Sequence, residues 1–253
     1  MTRFAIISDL HSNTEALGAV LSRLEKEGVE AIVCLGDVVG YGPDPEHCID
    51  LVMRHCETTI CGNHDEALLR GAQDFNPVAR QVIEYNRRTL KPSLLSSSLK
   101  RSRWRFIESL PDRAQMGEYL LVHGSPRDPI HEYIMKTDVI FIPDKIHDIF
   151  DHLDGVCFVG HTHFPGVFTE DLQFLDPGQL DYRFEWDGSS KAIVNVGSVG
   201  QPRDGDPRAS CVIVDGHEVR FLRTDYDIAT VQRKIYDNPN IPDLCAARLE
   251  IGK

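Results

Sequence analysis

Short apolar runs alternate with amphipathic stretches through the first sixty residues. Residues 4–8 read as a buried strand. Residues 13–27 then carry Ala16, Leu17, Val20, Leu21 and Leu24 at three- and four-residue spacing, which is one face of a helix stopped by Gly28. Residues 31–35 form a second strand, 45–56 a second helix and 58–61 a third strand. This β-α-β-α-β order implies a parallel core. Between 63 and 118 the pattern turns helical, with helices near 65–71, 77–90 and 99–109 punctuated by Pro77, Pro92 and Pro111. That insertion, about 65–115, either caps a site at the sheet edge or packs as outer helices; the pattern leaves both open. Strands return at 119–122 and 156–159. A meander follows at 166–169, 173–175, 182–186, 192–196, 211–214 and 218–223, then a terminal helix at 226–236. No repeat or linker interrupts the chain, so the reading is one domain over 1–253.

The length suffices for a sizeable core. A formal charge of −12 argues against stable nucleic-acid partners or an anionic membrane surface. The seven cysteines are odd in number and form no CxxC. Cys34, Cys61, Cys157 and Cys211 sit in or beside apolar runs, where a reduced thiol behaves as a small hydrophobe, so no disulfide framework or zinc knuckle is expected. The chain opens directly into a strand, with no signal peptide or membrane span in the pattern, and the expected location is the cytoplasm.

Five polar blocks carry the chemistry: Asp9-Leu10-His11, Gly36-Asp37, Gly62-Asn63-His64-Asp65, Val122-His123-Gly124 and Gly160-His161-Thr162-His163. Most follow a predicted strand, and polar residues just past buried strands converge at the carboxyl edge of an α/β sheet. In an extended chain i and i+2 point the same way. On that geometry Asp9 and His11 face one ion, as do His161 and His163. A set of carboxylate, imidazole and one amide suits manganese, iron or zinc rather than calcium. The other histidines, at 47, 55, 131, 147, 152 and 217, lack ligand spacing.

In this order the blocks resemble the calcineurin-like metallophosphoesterase superfamily, whose pattern is D-x-H, G-D, G-N-H-[DE], a lone histidine often before glycine, and G-H-x-H. The resemblance spans residues 9–163, more than half the chain. It implies a two-sheet α/β/β/α sandwich. It also implies two divalent or mixed-valence transition metal ions bridged by Asp37, one completed by Asp9, His11 and His163, the other by Asn63, His123 and His161. Their charge outweighs Asp9, Asp37 and a bridging hydroxide, keeping the site positive inside an acidic protein. The implied reaction is attack of that hydroxide on a phosphate mono- or diester. His64, not itself a ligand, would stabilise the transition state or protonate the leaving oxygen. Asp65 either orients His64 or begins the next helix as an N-terminal acid, and the helix role is favoured.

Tyr41 and Asn13 stand beside site blocks, as pocket lining or as turn residues. The small-residue loop from Asn195 to Arg203 has the N-x-G-S form frequent in small prokaryotic members. Arg203 or Arg208 there would grip a second phosphate or carboxylate, unless both are solvent-facing turn residues. One departure narrows the branch. Eukaryotic-type serine/threonine phosphatases carry an acid and an arginine where this chain has Gly40 and Tyr41. The chain therefore looks closer to small bacterial and archaeal phosphoesterases, with a phosphorylated small-molecule or nucleotide substrate; the oligomeric state stays open. Two alternatives stand beside this. One is a dinucleoside polyphosphate pyrophosphohydrolase using Arg203 and Arg208. The other is a non-catalytic metal-bound interaction module like the retromer subunit of this fold, which loss of His64 or of ligands would signal; here all are intact.

Overall fold

The computed structural model describes residues 3–253. Strand β1 (Phe4–Ile7) pairs in parallel with β2 (Ala31–Cys34), which pairs in parallel with β3 (Thr58–Thr59). The crossovers are helices α1 (Thr14–Glu27) and α2 (Pro45–His55). Asn13 caps α1 by accepting from the Ala16 amide at 3.0 Å, and Gly28 ends it in the left-handed conformation that glycine adopts without strain. β3 is shorter than the sequence pattern suggests, because the chain turns away after Thr59 into a site loop.

The other edge of this sheet comes from the far end of the chain. β11 (Ala209–Asp215) pairs antiparallel with β1, followed by β12 (Glu218–Thr224) and β9 (Arg183–Glu185). The second sheet runs β4 (Arg113–Met116), β5 (Tyr119–Val122), β6 (Val156–Val159), β10 (Ala192–Asn195), β7 (Gly166–Thr169) and β8 (Phe174–Leu175), with β5, β6 and β10 parallel.

Strand alternation sorts the apolar residues into layers. Phe4, Ile6 and Val33 of the first sheet meet Leu121, Phe158 and Val194 of the second in a shared core. Their neighbours Ala5, Ile7 and Cys34 face outward onto Leu17, Val20 and Leu24 of α1 and Ile49 and Val52 of α2. On the opposite side Val122, Cys157, Val159 and Ile193 face Ile146, Ile149 and Phe150 of α7 (Pro143–Asp151). The result is the α/β/β/α sandwich. Each of these large side chains, fully buried, contributes about 1.5–3 kcal/mol.

The helical insertion contains α3 (Asn63–Arg70), α4 (Pro77–Leu90) and α5 (Ser98–Glu108). α5 lies on the outer layer, held to α2 by Arg103, whose Nε and Nη2 reach the Asp50 carboxylate at 2.8 and 2.6 Å. α4 instead shares a cluster with α8 (Ile228–Tyr236) and α9 (Leu244–Ile251) over Tyr41. β4, the four-residue helix α6 (Asp138–Phe141), α7 and α9 lie outside the sequence reading. α7 had a weak signal, Ile146, Ile149 and Phe150 at helical spacing; edge strand β4, Arg-Ala-Gln-Met, had none. All seven cysteines are free thiols. Among the described residues no helix is long and apolar enough to cross a membrane.

Candidate metal centre

The five blocks meet where the carboxyl ends of β1, β2, β5 and β6 open toward one another. Asp9, His11, Asp37, Asn63, His123, His161 and His163 are all buried there. Their atoms fall into two groups. In the first, His11 Nε2 lies 3.1 Å from His163 Nε2, and Asp9 Oδ1 lies 3.1 Å from His163 Nε2 and 3.8 Å from His11 Nε2. In the second, His123 Nε2 lies 3.1 Å from both Asn63 Oδ1 and His161 Nδ1. Asp37 Oδ2 sits between them, 3.6 Å from His11 Nε2 and 3.5 Å from His123 Nε2.

Each of the four clustered histidines spends its other ring nitrogen on a backbone carbonyl. Nδ1 of His11 donates to Val39 O at 3.2 Å, that of His123 to Leu35 O at 2.8 Å and that of His163 to Gln201 O at 2.5 Å; Nε2 of His161 donates to His131 O at 3.1 Å. A carbonyl only accepts, so the proton is there and the inward nitrogen is a lone pair. Burial pushes all four below the usual histidine range, holding them neutral. Lone pairs facing at 3.1 Å repel unless a cation lies between. Two ligands about 2.1 Å from one ion at tetrahedral or octahedral angles stand roughly 3.0–3.4 Å apart, so the spacing fits a shared metal. Asp9 Oδ1, buried without a hydrogen-bond partner, fits it too.

The carboxylates tell the same story. Burial opposes the charge on Asp9, yet its carboxyl is held well below the usual range by the positive charge that His163, then His123 and His11, would share as a proton or an ion. Burial and the neighbouring Asp9 and Asp65 push Asp37 well above it. Ionising Asp37 alongside Asp9 needs a cation that the neutral side chains around them do not supply.

The local backbone corrects the extended geometry expected for Asp9-Leu10-His11 and His161-Thr162-His163. Asp9, His11, Ser12, Asp37, His161 and His163 all have φ between 46° and 65°. Left-handed non-glycine residues cost of order 1–3 kcal/mol each and persist only where surroundings over-determine them. Here they do. His11 N donates to Asp37 O at 2.9 Å, Ser12 N to Val38 O at 3.1 Å, His161 N to Asp9 Oδ2 at 3.0 Å and His64 N to Asp37 Oδ1 at 2.8 Å. The consequence is that His161 and His163 point into different halves of the cluster.

Asp65 starts α3, and its carboxylate accepts from the amides of Gly62 (3.1 Å), Val38 (3.3 Å) and Val39 (3.2 Å), clamping the two site loops together. Burial lifts it to about 6 despite those bonds. It makes no hydrogen bond to His64, whose Nδ1 is buried without a partner. The His64 ring packs 4.8 Å from those of His11 and Tyr41 and 5.1 Å from Phe75. Burial, then Arg203, His163 and His123, push it well below the usual histidine range. At Gly40, with φ 141°, an added Cβ would overlap His11 and stand 3.0 Å from His64 Nδ1. An acid cannot occupy that position without displacing both rings.

The 195–203 loop supports the cluster from behind. Asn195 Nδ2 donates to Gly160 O at 2.7 Å, Ser198 Oγ to Asp9 O at 2.8 Å, and Asn13 Nδ2 to Gly200 O at 2.9 Å. Asn13 is thus a pin between loops. Arg203 reaches the site's edge, its guanidinium 5.6 Å from the Tyr41 ring. Arg208 is not brought there; it is paired with Asp206, its Nη2 2.6 Å from Oδ2. Tyr133, stacked on His161 at 3.6 Å, and Phe75 carried no spacing signal in the sequence. With Tyr41, Asn63 and His64 they line a cleft of about 360 Å³.

Residues 2–218 match the calcineurin-like phosphoesterase superfamily domain. An uncharacterized protein of Methanocaldococcus jannaschii is 34% identical over 98% of both chains. A metallophosphoesterase from Sphaerobacter thermophilus is similar in structure, with TM-score 0.82 and 38% identity over 100% of this chain and 99% of that one. A hypothetical protein from Pyrococcus horikoshii shares the fold, with TM-score 0.74 and 18% identity over the same shares. The chain belongs to the calcineurin-like phosphoesterase superfamily.

Proposed function

We propose that the chain hydrolyses phosphate mono- or diesters at a dinuclear centre of manganese, iron or zinc. The observation that carries this is the placement of Asp37 Oδ2 midway between two complete donor groups. Asp9, His11 and His163 would share Asp37 with Asn63, His123 and His161. When bound, such ions polarise a phosphoryl oxygen and lower the pKa of water from about 15.7 to near 7.

The chain's own residues supply the rest. Neutral imidazoles and the neutral Asn63 amide leave the site net positive once loaded, so a phosphate is attracted. The cleft between Tyr41, Phe75 and Tyr133 orients the ester beside His64, which hydrogen-bonds or protonates the departing oxygen. The site lies open on that side, and its size suits a small organic phosphate or nucleotide. The polyphosphate reading keeps only Arg203 of its two arginines at the site. Seven free thiols are compatible with a reducing cytoplasm.

The test is a panel under manganese of p-nitrophenyl phosphate, its bis-ester, cyclic AMP and diadenosine tetraphosphate, with bound metal counted by elemental analysis. About two ions per chain and turnover of at least one ester are expected. A loaded protein inert on every ester would overturn the reading.

A further inference from the structure

Tyr133 and Phe75 come from distant parts of the chain to one cleft, which also reaches Asn63, His64 and His161. Tyr133, on the loop after β5, stacks one face on His161, with centroids 3.6 Å apart and planes at 29°. The residue stays 45% exposed and joins no apolar cluster among the described residues, so core packing does not account for it. Phe75, on the turn between α3 and α4, is half-buried against Ala67, Ala72 and Ile83 and meets the His64 ring edge-on, at 5.1 Å and 82°. The cleft thus carries aromatic surface resting on His64 and on His161.

Both rings sit on pinned backbone. Lys145 Nζ donates to Tyr133 O and to Asp138 Oδ2, each at 2.6 Å, and His161 Nε2 holds the same loop through His131 O at 3.1 Å. Arg80 donates Nε to Ala72 O at 3.0 Å and Nη2 to Phe75 O at 3.4 Å. A ring already fixed loses little freedom on binding a flat partner. The polar lining narrows that partner. Among the described residues lining the cleft none is lysine or arginine, while Asp74 adds an exposed carboxylate and Asn76 an amide. Such walls repel a second anion and suit a flat ring, which offers its faces to aromatic side chains and its edge to hydrogen-bonding groups.

We infer that Phe75 and Tyr133 form a stacking slot for the organic half of the ester, a flat unsaturated ring of nucleobase or aryl type, on the substrate whose scissile phosphate meets the metals. This rests on the phosphoesterase reading and narrows it to ring-bearing esters without a further anionic group.

Calorimetric titration of the manganese-loaded protein tests it with two matched pairs of non-hydrolysable probes, each pair differing in one flat ring. Benzylphosphonate is set against cyclohexylmethylphosphonate, and the methylenephosphonate analogue of AMP against that of ribose phosphate. Within at least one pair the ring-bearing probe is expected to bind about tenfold tighter, the scale of one base–aromatic stack. The pair that shows it tells aryl from nucleobase. Tyr133→Leu and Phe75→Leu should each cut that ratio by about threefold or more. Tyr133→Phe should keep it, with manganese content and thermal unfolding unchanged. Should Tyr133→Leu lose manganese, Phe75→Leu decides, because its ring contact is His64 and not a proposed ligand. No preference in either wild-type pair overturns the slot. So does a Tyr133→Leu protein that weakens both members of a pair equally, since Tyr133 would then act only through His161. Tighter binding of (trimethylammonio)ethylphosphonate than of either ring probe overturns it in favour of a cation cage. Failure of all these phosphonates to bind overturns the phosphoesterase reading and the slot with it.

Discussion

Each cluster imidazole has its tautomer set by a carbonyl with no ion present, so on the proposed centre removing one donor would remove a ligand and not a scaffold. Asp37 is the exception, since it serves both groups. Asp37→Asn keeps the shape but halves the site's negative charge; we expect turnover lost and manganese falling below one ion per chain by elemental analysis. His64→Ala should keep both ions yet lose about 10²–10⁴ in rate on an alkyl phosphate, with a smaller loss on p-nitrophenyl phosphate, whose leaving group barely needs a proton. If metal content falls with the rate, His64 is structural. Which residues come together in the cluster was legible in the sequence because ligand types are few and their order is specific. Their backbone was not: an aspartate or histidine only occasionally turns left-handed, and here long-range hydrogen bonds, which local sequence does not show, hold them there.

At the scale of elements, the parallel strands and α1 announce themselves by burial period, and the second half only in part. α9 is a short helix with three buried residues, Cys245, Ala246 and Leu249, too few for a clear stripe, yet it packs against Tyr41 behind the site. The insertion was read without the Asp65 clamp, because a helix-start acid looks the same whether it faces solvent or two loops. Asp65→Asn offers one acceptor oxygen for three buried amides. Each orphaned amide costs about 1–3 kcal/mol, so the urea midpoint should drop accordingly. Manganese affinity should fall as well, since the 36–40 and 62–65 loops lose their shared fastening. Unchanged affinity would show that the ligands hold those loops unaided.

For the whole molecule, the proposed centre would fasten the sandwich with ions that both sheets ligate. Chelation should therefore lower thermal stability, and manganese at 100 times its Kd should restore about 2.7 kcal/mol per site. The metal-free protein should also be pH-sensitive in a definite direction. His11, His64, His123, His161 and His163 are held below their unfolded value of 6.5, so below that pH the unfolded chain binds more protons. Stability should rise from about pH 5 and level off above about 6.5. Asp37 and Asp65, both raised, pull the opposite way from about 3.8 up through their folded values, about 6 for Asp65, and so flatten the rise, but two acids do not cancel five histidines. Melting curves across pH in chelator check the sign. The 152-residue separation of His11 and His163 has a consequence for biogenesis. At about 5–20 residues per second a ribosome needs roughly 8–30 s to make the second ligand after the first. No nascent fragment that stops short of His163 carries the proposed donor set, so loading would wait for the second sheet to form. On that reading the metal of the mature protein would record which ions were free at that late moment.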